Sequence, residues 1–207
     1  PNSNSIIAID LNQKKILWNF QETSHDIWNS DLPAPPILTS LIIDNKFIDV
    51  VVAPTKRANT LIIDRVTGNP IFDLVLRKAP ISKLKGEKTS AYQPDLKIPE
   101  PFGKNIFSLD DLWSYDKSKK LIHKDKYKSY NFGFYQTYEL NKKNLQYNFN
   151  GGAEWMGASV DHDKQIMYVT SNNIPWETEV KKLETNHTYI PEYFSNYKRA
   201  LDDLGYP

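Results

Sequence analysis

Residues 5–20, SIIAIDLNQKKILWNF, and residues 59–74, NTLIIDRVTGNPIFDL, decide the fold. Each opens with an apolar run, turns at an aspartate followed by polar residues, and returns through a second apolar run, the pattern of a β-hairpin. The first copy turns at Asp10 and ends in Trp18 and Phe20; the second turns at Asp64, carries Thr67-Gly68 within the turn, and returns through Ile71-Phe72. Aspartate bonds its own backbone in tight turns, so Asp10 and Asp64 read as turn formers rather than acids. The copies are offset by 54 residues. That exceeds the roughly 40 to 45 residues of a compact four-stranded propeller blade and suits one with an enlarged loop. Residues 35–41 and 48–54 read as two further buried strands, which makes a four-stranded unit of the region.

Outward from this repeat, residues 77–128 form a long insertion in which Pro80, Pro94, Pro99 and Pro101 interrupt any regular ladder. Residues 109–115, with Trp113, are expected to pin it as a short helix. Residues 151–170 return to strand character, with a glycine turn, an apolar run at 155–160, a turn at Asp161-His162-Asp163 and a strand at 165–170. Near the C-terminus, Tyr193, Phe194, Tyr197 and Leu201 recur at helical spacing, which predicts a short helix within 191–204.

The whole reads as all-β: one partial propeller domain over 1–207, with blade repeats around 5–75 and 151–176. The opening Pro1-Asn2-Ser3-Asn4 and closing Tyr206-Pro207 suggest an internal fragment of a longer protein. With 26 basic and 25 acidic residues among 207, no polyanion partner is indicated and no nucleic acid is expected. The chain has no cysteine, so disulfides and thiolate chemistry are excluded. Asn186-His187-Thr188 fits the glycosylation pattern, but so short a motif often occurs by chance.

Residues 25–36, HDIWNSDLPAPP, resemble the signature of the membrane-associated quinoprotein glucose dehydrogenases, typically His-Asp-Leu-Trp-Asp followed by Asp-Leu-Pro-Ala-x-Pro. Further segments match in order: Ala53-Pro54-Thr55-Lys56, Asp64-Arg65 with Thr67-Gly68, Gly86-Glu87 with Thr89-Ser90 and Gln93-Pro94, Asp111-Leu112-Trp113, Gly151-Gly152-Ala153-Glu154-Trp155, and Asn172-Asn173-Ile174-Pro175-Trp176. The resemblance implies part of an eight-bladed propeller holding pyrroloquinoline quinone (PQQ) near its axis beside a divalent cation, Ca2+, whose ligands lie mostly outside this chain. It also implies oxidation of glucose or a related sugar or polyol, electron transfer to a membrane quinone, and a periplasmic location with membrane association through parts outside this chain. The remaining blades of the longer protein would complete the propeller.

Individual residues follow from this register. Lys56 falls where the family places a lysine that donates to the quinone oxygens; an ammonium there stabilises the charge that builds up on reduction. Read locally, it is an ordinary lysine beside Arg57 at a strand end. Asn29 stands directly after Trp28, where the family has its catalytic aspartate, and a carboxamide has no titratable group to act as a general base. Asp26 and Asp31 flank it, but side chains on an extended segment need not point the same way. Thr170 stands where the family often has an asparagine close to the quinone. His25 is a substrate-contact candidate or a structural hydrogen-bond partner. Trp155 walls the quinone or docks neighbouring blades, and Trp18 and Trp28 read as packing residues. A non-catalytic propeller that keeps the framework for binding or assembly is the alternative function.

Overall fold

The computed structural model describes residues 3–112, 114, 116–147, 149–183 and 193–201. The first repeat forms the antiparallel hairpin β1 (Ser5–Asp10) and β2 (Lys15–Gln21). A three-stranded antiparallel sheet follows, built from β3 (Ile37–Ile43), β4 (Lys46–Pro54) and β5 (Thr60–Asp64), with β4 in the middle. Its central place explains the sequence of β4: from Val50 to Pro54 the strand is buried without a break, because partners cover both edges and both faces.

The two repeat copies share their turn chemistry. Asp10 Oδ1 accepts from the amides of Asn12 and Gln13 at 2.8 and 2.9 Å, and Asp64 Oδ1 from those of Val66 and Thr67 at 2.9 and 2.7 Å. These bonds hold the Asp64 carboxyl below the usual carboxylate range, led by the amide of Thr67. The copies differ on the return. The first forms a full strand, whereas the second forms only an Ile63–Pro70 bridge and a bond from Ile71 N to Ile62 O. In place of the expected four-stranded unit, this region forms the two-stranded β1–β2 sheet and the three-stranded β3-β4-β5 sheet, the latter extended by that bridge. Proline lacks the amide needed to extend the ladder.

The copies also dock on each other. Trp18 Nε1 donates to Arg65 O at 3.1 Å, and a Cβ at Gly68 (φ +76°) would lie 2.6 Å from the indole. Glycine is required there on two counts, backbone conformation and space. Trp18, Phe20, Leu32 and Leu74 pack around a core of Ile6, Val51, Ala53, Leu61, Ile63 and Leu96.

The insertion is more ordered than its prolines suggest. Strands β6 (Val75–Lys78) and β7 (Tyr92–Asp95) pair within and beside it, with Pro94 opposite Leu76. Proline is tolerated because this ladder has two strands only, so every residue lies on an edge. A 3-10 turn at Leu109–Asp111, capped by Ser108, falls where a short helix is expected; Trp113 lies outside the described residues. Among the described residues, the one α-helix is α1 (Lys117–Tyr127), started by Asp116 accepting from Ser118 N and burying His123 and Tyr127, one turn apart.

Strands β8 (Lys143–Gln146), β11 (Trp176–Lys182) and β12 (Tyr193–Arg199) form a sheet in the order β12-β11-β8, and β9 (Ala153–Asp161) pairs with β10 (Ile166–Ser171). Thus, of the helix expected within 191–204, residues 193–199 form a strand; residues 191–192 and 202–204 lie outside the described residues. The reason lies in the spacing: residues four apart are one helical turn apart, but four is also an even number, so the same spacing fits one face of a strand. Tyr197 lies beside Trp176 and Phe149, with ring centroids 6.0 and 5.0 Å away. Among the described residues, no helix is long and apolar enough to cross a membrane.

Candidate active site

The site grows from the loop that joins β4 to β5. Thr55 N donates to Asn59 O, Ala58 N to Thr55 O, and Asn59 N to Thr55 Oγ1, which tightens residues 55–59 and places Lys56 and Arg57 at the tip. Ala58 adopts φ +59°. Two other segments clamp this tip. From one side, Gly152 N donates to Lys56 O at 2.6 Å and Ala153 N to Thr55 O at 3.4 Å; from the other, Phe102 N donates to Ala58 O at 2.9 Å. A Cβ at Gly152 would sit 2.7 Å from Ala58 Cβ, so the glycine pair serves the approach of backbone to backbone. Asn172 ties in the last matching segment: its Nδ2 donates to Gly151 O at 2.7 Å and its N to Gly152 O at 3.1 Å.

Lys56 and Arg57 leave this tip in different directions. Lys56 is buried, and its Nζ donates to Asp31 Oδ1 at 2.6 Å; the Asp31 side chain is 54% exposed, so the pair reaches the surface through the aspartate. Glu154 lies within electrostatic range of both. Desolvation holds its carboxyl above the ordinary range, Asp31 adds to that and Lys56 opposes it. A Cβ at Gly151 (φ +95°) would come 2.7 Å from Glu154 Oε1, so the missing side chain makes room for this carboxylate.

Arg57 turns inward. Its guanidinium lies 3.7 Å from the centroid of the Tyr135 ring. Beyond it, Glu22 is buried and its Oε2 accepts from Thr23 Oγ1 and, at 3.4 Å, from Asn4 Nδ2. Burial pushes the Glu22 carboxyl up to about 7, against the pull of Thr23 and Arg57. Burial also raises the Tyr135 phenol.

The loop bearing the resemblance signature is held from behind. Asp26 accepts from Trp28 N and Ser30 N, both at 2.8 Å, and Asn4 bridges to Ser30 O and Leu32 N. The Asp26 carboxylate is thereby committed to loop geometry, with burial raising its pKa. Trp28 is buried edge-on to Tyr135 and donates to Gln136 O at 2.8 Å, a packing role. Asn29 is exposed at φ +62°, and its Nδ2 donates to Phe149 O at 2.9 Å. His25 is exposed at φ +52°. Ala34 meets Gly157 farther along, so residues 29–34 run beside residues 149–157.

Trp155 and Thr170 lie on the paired strands β9 and β10, and both are exposed, Trp155 at 80%. The β9–β10 register jumps from Val169–Ala158 to Ser171–Ala153, so β9 bulges at 154–157 and the indole leaves the regular alternation of faces. The structure therefore brings Lys56 to Asp31 and Glu154 and runs the Asn29 segment alongside. The sequence showed Asp31 only as a neighbour of Asn29 and Glu154 only inside a matching segment. Among the described residues, no cluster of three or more His, Cys, Asp or Glu side chains is placed to hold a metal ion.

Short antiparallel sheets, a duplicated hairpin with an aspartate turn, and conserved order of the converging segments define part of a β-propeller. The family model described as PQQ glucose/ethanol/alcohol dehydrogenase, beta-propeller domain, matches residues 2–201, and the chain belongs to that family. Similar curated proteins include quinoprotein glucose dehydrogenase A of Acinetobacter calcoaceticus, 28% identical over 89% of this chain and 24% of its own length. The quinoprotein glucose dehydrogenase of Escherichia coli K12 is 25% identical over 86% and 22%. The glycerol dehydrogenase large subunit of Gluconobacter thailandicus is 27% identical over 84% and 24%. This chain thus spans about a quarter of the length of these relatives. Among solved structures, a europium-containing methanol dehydrogenase superposes with a TM-score of 0.55 over 95% of this chain and 28% of its own, at 21% identity, in keeping with the propeller fold.

Proposed function

We propose that this chain is a segment of a PQQ-dependent dehydrogenase that oxidises a sugar or polyol, glucose being the first substrate to try, and that the electrons go on to a membrane quinone. The observation that carries the reading is Lys56: a buried ammonium, fixed at a loop tip by Gly152 and Phe102 backbone bonds, in the register where the resemblance places a donor to the quinone. PQQ, when bound, supplies a two-electron acceptor. A preorganised ammonium lowers the energy of negative charge that develops on the acceptor's oxygens, and it does so at little reorganisation cost because the loop is already set. The exposed indole of Trp155 offers a flat apolar surface suited to a planar ring system, and the exposed Thr170 and His25 offer polar contacts to cofactor and substrate. Ca2+ is the divalent cation favoured here, with ligands from blades outside this chain. A periplasmic setting, with membrane attachment outside this chain, agrees with that chemistry.

The second reading, a propeller that binds or assembles without turnover, draws support from Asn29, whose carboxamide donates to a backbone carbonyl and offers no base. The two readings separate in the full-length protein, supplied with PQQ and calcium and assayed for glucose-dependent dye reduction beside cofactor binding. Turnover that falls at least about 100-fold in Lys56→Met supports the enzyme. Binding of PQQ without turnover on any sugar or polyol supports the second reading.

A further inference from the structure

We infer that the cavity bordered by Asn29 is the substrate pocket and that Glu87 sets its selectivity, favouring neutral polyhydroxy compounds over hydroxy acids and over monohydric alcohols. The inference rests on the dehydrogenase reading above and deepens it. The cavity measures about 390 Å³, within the roughly 300 to 1,000 Å³ of small-molecule sites. Asn29, Glu87 and Ser195 give its wall polar groups, and Leu84, Phe149 and Val180 give it apolar ones. The signature loop joins it to Lys56: Asn29 borders the cavity, and Asp31, two residues on, holds the Lys56 ammonium at 2.6 Å.

Ser82 organises the turn that carries Glu87. Ser82 N donates to Thr89 Oγ1 at 3.0 Å, and Ser82 Oγ accepts from Leu84 N at 3.1 Å and donates to Glu87 Oε2; Glu87 N donates to Leu84 O at 3.2 Å. Leu84 anchors the turn in the core beside Trp28, Tyr138 and Val180. The half-buried carboxylate is thus held by one oxygen, and among the described residues no donor reaches the other, Oε1. Asn29 donates through Nδ2 to Phe149 O at 2.9 Å, which leaves its Oδ1 as a second acceptor. Ser195, exposed on β12 opposite Val180, adds a hydroxyl.

Charge gives the selectivity. The described residues lining the cavity include this carboxylate and no Lys, Arg or His. A hydroxy acid would bring a second carboxylate with no cation between the two, and like charges repel strongly in a partly desolvated pocket. A neutral polyol donates O–H bonds to Glu87 Oε1 and Asn29 Oδ1 while its C–H face packs on Leu84, Phe149 and Val180. A monohydric alcohol spends its one hydroxyl on the reaction, so Glu87 would give up water and gain nothing in return.

The test uses the full-length protein with PQQ and calcium and two matched sets of substrates. Glucose is set beside glucuronate and tetrahydropyran-2-ol, and glycerol beside glycerate and 1-propanol. In the set the native protein turns over, kcat/KM should favour the neutral polyol at least about 10-fold over each analogue, the size of one hydrogen bond to a charged group. Glu87→Leu should reduce the preference over the monohydric compound at least about 10-fold, through KM more than kcat. Glu87→Gln, which keeps an acceptor and loses the charge, should retain that preference and relax the exclusion of the acid by a similar factor. PQQ binding, followed by cofactor absorbance, should stay within about threefold in both variants. Without cofactor, saturation-transfer NMR should show glucose or glycerol on the native protein and lose that signal in Glu87→Leu. Preferences in Glu87→Leu within about threefold of native overturn the inference, as does a native protein that favours the acid. If the native protein binds PQQ but oxidises neither set, the dehydrogenase reading fails and the NMR arm decides: polyol binding that depends on Glu87 keeps the pocket, and binding that is absent or unchanged in Glu87→Leu overturns it.

Discussion

Lys56 and Arg57 are neighbours on one loop tip, and each faces two carboxylates, yet their surroundings have little else in common. Lys56 meets Asp31 and Glu154 on a side that opens to solvent through the half-exposed aspartate. Arg57 meets Glu22 and Asp26 on a side closed by Tyr135, Trp28 and Thr23. The same inventory of charge serves two ends. Where water and a substrate have access, a charge cluster is available for chemistry; where they do not, it fixes the loop and the price is paid in desolvation. The sealed cluster holds the signature loop, through Trp28, Tyr135 and Asn4, against the same loop tip that presents Lys56.

The sharpest way to break this comparison is Arg57→Ala. It removes the cation stacked on Tyr135 and leaves Glu22 and Asp26 without compensation, and a stability loss of about 4 kcal/mol is expected in denaturant unfolding of the full-length protein. A loss under about 1 kcal/mol would show the inner cluster to be no more than a surface pair.

The pH dependence comes next. Glu22 sits at about 7 in the fold, above its ordinary value, so the fold prefers the protonated acid. Below about pH 4.5 both folded and unfolded chains carry that proton and nothing is lost. Between about 4.5 and 7 the unfolded chain releases it first, and stability should fall by about 3 kcal/mol as pH rises, with no further loss above. In Glu22→Gln this slope should disappear; a slope that persists assigns it to another group.

The smallest effect is expected on the open side. Asp31→Asn removes the charge opposite Lys56 but leaves an oxygen to accept its bond and Glu154 to balance it. With Asp31 half exposed, about 1 kcal/mol of stability is at stake. A loss as large as that of Arg57→Ala would erase the contrast between the two sides. A fourth measurement concerns the chain by itself. Ile9, Ile16, Leu17, Leu38, Ile42 and Phe47 are exposed on its strands, so isolated residues 1–207 should self-associate in light scattering. A clean monomer with cooperative unfolding would contradict this.

The hairpin repeat was legible in the sequence because its chemistry is local: an aspartate two and three residues before the amides it accepts needs no distant partner. Lys56 was legible only through register with residues 25–36, and the structure accounts for that link, since Asp31 of the signature is its ion-pair partner. Glu154 was not legible as a neighbour of Lys56. What distinguishes it, the nearness of Lys56 and Asp31 and the space left by Gly151, joins three segments far apart in the chain. The strand Tyr193–Arg199 was misread because a spacing of four fits both periods, and only its pairing with Trp176–Lys182 decides between them. Pro94 misled for a related reason, since its cost depends on whether a third strand pairs beside it.

The seating of Trp18 over Gly68 has a consequence in time as well as space. Trp18 Nε1 donates to Arg65 O, 47 residues further along. At 5 to 20 residues per second, a ribosome takes roughly 2 to 10 seconds to deliver that acceptor after Trp18 has been joined to the chain. Through that interval the first hairpin shows water an indole that has no docking partner yet.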